Sequence, residues 1–190
     1  GKALPINCNT WVSQFPTLSG ADSLIAVTRA LNRLKSVFVT LDKARPQSTD
    51  PANPNIRDHL YLKPWNDFFS PMYKDNYNTQ DVVNLPQGEF EFRLQIGSKL
   101  FPEYPIRTHA EAYYQLKKKC LGIQASPLHD FDISGRQYRW YKFVIGIDCE
   151  KVLEAGWTGI NTRAGDLLTV KFKNNPTTQD ADRIADRMHI

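Results

Sequence analysis

Residues 89–96, Glu-Phe-Glu-Phe-Arg-Leu-Gln-Ile, alternate polar and apolar without interruption. Phe90, Phe92, Leu94 and Ile96 fall on one side of an extended chain, and Glu89, Glu91, Arg93 and Gln95 on the other. A period of two is the signature of a strand with one buried and one wet face. Burying the four apolar side chains contributes about 6–12 kcal/mol, at ~1.5–3 each. Gly97-Ser98 then ends the strand, and Pro102 and Pro105 keep the following residues extended.

At Thr108 the period changes. Thr108-His-Ala-Glu111 reads as a capping box, the hydroxyl on a free backbone N–H and Glu111 reaching back. Ala112, Tyr113, Leu116 and Cys120 share one helical face, Lys117, Lys118 and Lys119 put cations in the last turn, and Gly122 supplies a left-handed stop. The spacing predicts one amphipathic helix over about Thr108–Leu121.

Elsewhere strands dominate. Ser36–Leu41 is β-prone, with Val37, Val39 and Leu41 on one face. Asp22–Leu34 is undecided: Leu24, Val27, Leu31 and Leu34 recur at helical spacing, while Ile25, Val27 and Thr28 favour a strand. Leu4–Phe15 suggests a short strand anchored by Ile6, Trp11, Val12 and Phe15. Arg136–Cys149 reads as one long strand with Tyr141, Phe143, Ile145, Ile147 and Cys149 inward. Asp166–Lys173 is another, with Leu168, Val170 and Phe172 inward, and Asp180–Arg187 suggests a short helix. Half-wet strands joined by long polar connections predict a mainly β antiparallel sandwich in a single domain, 1–190.

Residues 43–88 differ in kind. They hold six of the chain's twelve prolines, little periodicity, and an aromatic knot of Trp65, Phe68, Phe69, Met72 and Tyr73. A stretch this long reads as a surface insertion with a function of its own. Aromatics and Met gathered in a loop are the composition of interface anchors, although a self-packed loop uses them too.

The remaining motifs point to no chemistry. Cys8, Cys120 and Cys149 lack CxxC or zinc-like spacing and read as buried free thiols in a reduced compartment. His129-Asp-Phe-Asp132 puts an imidazole beside two carboxylates, but Asx-turn chemistry between Pro127 and Gly135 accounts for it. Gly156–Gly165 is glycine-rich without a phosphate-loop pattern, and turn geometry suffices. The four histidines form no HxH pair, so metal chemistry of the cupin kind is not expected. The expectation is a protein without catalytic residues, cofactor or metal. A net charge of +4 falls short of a dedicated nucleic-acid face, and no apolar run reaches membrane-spanning length.

Four segments carry a family resemblance: Arg29–Val39 (RALNRLKSVFV), Gln95–Ile106 with the HAEAYYQL helix after it, Lys142–Lys151 (KFVIGIDCEK) and Thr158–Leu167 (TGINTRAGDL). Together they resemble the second jelly roll of major capsid proteins of large eukaryotic DNA viruses, virophages and Polinton-like elements, and related protist-encoded proteins. The resemblance implies an antiparallel jelly-roll β-sandwich in which the Arg29 and Lys35 segments are strands. It also implies a structural subunit that packs as a homotrimer into a capsid lattice with other capsid proteins. The protein would reside in the virion, after assembly in the host cytoplasm or nucleus. Proteins of this family carry two jelly rolls per chain and only one fits here, so the resemblance places this chain within a longer one, with further strands after Ile190. The alternative from the residues alone is a non-enzymatic module that offers Trp65–Tyr73 to a glycan or a protein ligand.

Overall fold

A computed structural model of the chain describes residues 10–42, 68, 70, 90–117, 133–140, 142–150, 159–163, 167–175, 185 and 187–190. These form seven strands and two short helices: β1 Ser23–Val27, β2 Ser36–Asp42, β3 Glu91–Ile96, β4 Lys99–Ile106, α1 His109–Tyr114, α2 Gly135–Trp140, β5 Val144–Asp148, β6 Leu168–Lys173 and β7 Arg187–His189. All pairing between them is antiparallel, in a four-stranded sheet of order β1-β6-β3-β4 and a three-stranded sheet of order β5-β2-β7. The protein is mainly β.

The alternating stretch is the centre of the larger sheet. β3 pairs with β4 on one side and β6 on the other, and Phe92, Leu94 and Ile96 face Phe172, Val170 and Leu168 in register. All six are buried, as is Phe90 just before the strand. In the smaller sheet Val37 pairs with Ile147, Val39 with Ile145 and Leu41 with Met188, and these too are buried. The inward residues of both sheets join one continuous buried cluster. Phe90 links its two halves, its ring 5.7 Å from Phe143 and 6.5 Å from Phe172.

Helix α1 begins as its sequence predicts. Glu111 N donates to Thr108 Oγ1 at 3.2 Å, and Glu111 Oε2 accepts from the Thr108 and Arg107 amides at 3.1 and 2.8 Å. Ala112 and Leu116 are buried, Tyr113 packs against the cluster, and the helix widens into a π turn over 115–117. Residues 118–121 of the expected helix lie outside the described residues.

Several expectations need correction. The predicted strand Arg136–Cys149 is a helix at its start, α2, and a strand only from Val144, so the protein has a second short helix besides the expected amphipathic one. Ser134 and Gln137 explain this. Gln137 N donates to Ser134 Oγ and Ser134 N to Gln137 Oε1, both at 3.3 Å, a second capping box that fixes the helix start. Tyr138 holds the helix down: it is buried, and its hydroxyl donates to Val144 O at 2.8 Å.

Between Asp22 and Leu34 the strand reading holds for Ser23–Val27 alone. Residues 28–35 follow no sheet beyond a bridge from Leu34 to Ile160. Trp11, Val12 and Phe15 are not core anchors, because all three are exposed. Strand β7, which carries Met188, is bonded on both sides. β2 flanks one edge; on the other, Gln14 and Ile190 exchange main-chain bonds of 2.8 and 2.9 Å, Met188 N donates to Pro16 O at 3.0 Å, and Thr17 bridges to Arg187.

Candidate interface on the aromatic face of the three-stranded sheet

Because β2 alternates, turning Val37, Val39 and Leu41 inward turns Phe38, Thr40 and Asp42 outward. On β7, Met188 faces in and Arg187 and His189 face out. The register sets His189 beside Thr40 and Arg187 beside Asp42. Three aromatic residues from other parts of the chain lie over this row. The Trp11 ring is 5.6 Å from that of Phe38, and Phe15 and Phe68 meet His189 edge-on at 4.9 and 5.9 Å. Trp11 and Phe15 nevertheless remain 75% and 62% exposed, which makes this a surface of large rings rather than a piece of core.

Charge is threaded through the rings. Asp42 Oδ2 lies 3.8 Å from Arg187 Nη2 and 3.9 Å from His189 Nε2. His189 Nε2 and Arg187 Nε are buried and make no hydrogen bond. Burial is the main influence on the His189 imidazole and lowers its pKa below the ordinary value; Asp42 opposes the shift and Arg187 adds to it. Flat apolar rings beside a fixed carboxylate and guanidinium make a surface suited to contact, since large rings give area at little entropic cost and the charges give register.

Of the aromatic knot predicted as an interface, Phe68 reaches this face. Its carbonyl accepts from Phe143 N at 2.8 Å, and the residue bridges to Lys142. Trp65, Phe69, Met72 and Tyr73 lie outside the described residues. Trp11 and Phe15 are the members that sequence reasoning missed. Their apolar character pointed to the core, and the signal that separates core from surface there is weak, because residues 10–16 have no regular period.

A serine–histidine pair occupies another part of the molecule. Ser70 Oγ and His109 Nε2 are 2.6 Å apart, and the His109 ring sits 5.9 Å from Phe90 and 5.6 Å from Phe143. Ser70 has no exposed surface. The bond ties residue 70 of the insertion to the first residue of α1 and satisfies a buried hydroxyl.

The described residues contain no group of three His, Cys, Asp or Glu able to hold a metal, and His129–Asp132 lies outside them. Cys149 is buried and its Sγ donates to Ile147 O at 4.0 Å; Cys8 and Cys120 are outside the described residues. Lys117 stands 5.9 Å above the Tyr113 ring. Among the described residues no helix is long and apolar enough to cross a membrane. Comparison with protein-family models, curated proteins and solved structures gives no match for this chain.

Proposed function

We propose that this chain is a jelly-roll domain of a viral major capsid protein, a structural subunit that packs through its own surfaces into trimeric capsomers. Strand order carries the reading. Counting Gln14–Thr17 as the first of eight strands among the described residues, the smaller sheet runs 1-8-3-6 and the larger 2-7-4-5. Successive strands therefore change sheet at every step except the β3–β4 hairpin. This order supports the double Greek key of a jelly roll, an architecture shared by capsid, lectin and cupin domains. Among those, the four segments that resemble capsid proteins favour the first.

On this reading no residue does chemistry. The partners are further copies of the chain and other capsid proteins, and the location is the virion. The exposed rings of Trp11 and Phe15 supply contact area for such packing, Trp11 against Phe38 and Phe15 against His189. The same exposed rings also favour a second reading, a module that stacks a glycan or seats a protein ligand.

Sedimentation equilibrium separates the two. A subunit self-associates toward a trimer of the 21.8 kDa chain, and Trp11→Ala with Phe15→Ala weakens that association while the thermal midpoint of the monomer stays within a degree or two. A chain that remains monomeric at every concentration tested contradicts the capsid reading.

A further inference from the structure

Residues 28–35 lead from β1 to β2, and residues 159–163 run beside them. Leu34 and Ile160 exchange both main-chain hydrogen bonds, at 2.8 and 2.9 Å. Thr162 N donates to Leu31 O at 2.8 Å, and Thr162 Oγ1 accepts from Leu31 N at 2.8 Å. The approach is close enough to require glycine at 159. Its φ is +148°, and a Cβ there would stand 3.0 Å from the Leu34 carbonyl oxygen and 3.2 Å from Arg33 Cα. Leu34, Ile160 and Thr162 are buried. The two segments are thus fixed to one another before any ligand arrives.

This pairing sets one arginine from each segment at a common cleft. Arg29 and Arg163 line it with Thr28, Ala30, Thr162 and Leu167, and both arginines are exposed. Asn161 Oδ1 accepts from Arg163 N at 2.8 Å and fixes the turn from which that side chain leaves. Among the described residues lining the cleft there is no carboxylate. Each guanidinium is a planar fork whose parallel N–H donors match two oxygens of a phosphate, and a hydroxyl at Thr28 adds a neutral donor. The backbone from which both arginines rise is held by buried bonds, so their side chains can turn to an oxyanion without the backbone reorganising.

We propose that the cleft between Thr28–Ala30 and Thr162–Arg163 binds a phosphate or phosphate-ester group, held by the guanidinium groups of Arg29 and Arg163. The inference goes beyond the subunit role and does not depend on it.

Isothermal titration of the full chain with inorganic pyrophosphate, and separately with a short single-stranded oligonucleotide at several salt concentrations, tests it. The protein binds at least one of the two saturably, and Arg29→Gln with Arg163→Gln weakens that binding about tenfold or more. The thermal midpoint is unchanged, because both side chains are exposed. Pyrophosphate bound as tightly as the oligonucleotide identifies a small phosphate compound as the ligand. A tighter oligonucleotide, whose salt slope falls by about 2 in the double variant, identifies a polymer backbone. A control variant, Lys171→Gln with Lys173→Gln on the outer face of β6, binds like the parent protein. The proposal is overturned if the parent binds neither probe, if the arginine variant binds both as the parent does, or if the lysine variant loses as much affinity as the arginine one.

Discussion

Ser70 Oγ lies 2.6 Å from His109 Nε2, joining a residue of the long 43–88 stretch to the first residue of α1. Ser70 is fully buried, and the imidazole it meets is flanked by Phe90 and Phe143, the two rings through which the sheets share their core. Two residues earlier, the Phe68 carbonyl takes the Phe143 amide. At these two points the insertion is fastened to the domain. Ser70→Ala removes the bond without opening a large cavity and is expected to lower stability by about 0.5–1.5 kcal/mol. Urea unfolding measures this, with the midpoint shifted and the slope unchanged.

The two faces of β3 should respond very differently to substitution. Phe92 is fully buried opposite Phe172, so Phe92→Ala costs about 3–5 kcal/mol through lost burial and a cavity. Arg93 points to the other face, where its Nε lies 3.8 Å from Glu91 Oε1. Arg93→Gln is expected to cost less than about 1 kcal/mol, the range of partly exposed ion pairs. Equal losses in urea unfolding would show that the face opposite Phe92 is also part of a core.

These faces were legible in the sequence because alternation is a local property. Phe92, Leu94 and Ile96, Val37, Val39 and Leu41, and Leu168, Val170 and Phe172 all lie inward as their spacing predicts. The Thr108–Glu111 capping box was equally readable. The same motif at Ser134–Gln137 was obscured by the aromatic, β-prone residues that follow it, and Tyr138 shows why: its ring is wanted in the core and its hydroxyl at Val144 O, a placement that a helical turn provides. The aromatic face was the least legible. Trp11, Phe15, Phe38, Phe68 and His189 are brought together by strand pairing between distant parts of the chain, and the same ring can cover a core or coat a surface.

His189 makes stability depend on pH. Burial, its largest influence, holds the folded-state pKa below the unfolded value of 6.5. Between those two values the unfolded chain binds more protons than the folded one, so stability rises with pH. The contribution is complete above about pH 6.5 and is lost as pH falls through the lowered folded value. His189→Phe should flatten the slope of unfolding free energy against pH in that window, and a slope identical to that of the parent would show that other groups produce it.

The most direct test of the account is amide hydrogen exchange along β7 and the segment beside it, since the eight-strand order rests on their pairing. Gln14 N, Met188 N and Ile190 N donate to Ile190 O, Pro16 O and Gln14 O at 2.8, 3.0 and 2.9 Å. The account predicts that these three amides are protected together, within about tenfold of the Val39 and Ile145 amides in the neighbouring strands. Exchange of all three at the rate of an unstructured peptide, while β2 and β5 stay protected, would remove the first strand from the sheet and contradict the jelly-roll reading on which the capsid proposal stands.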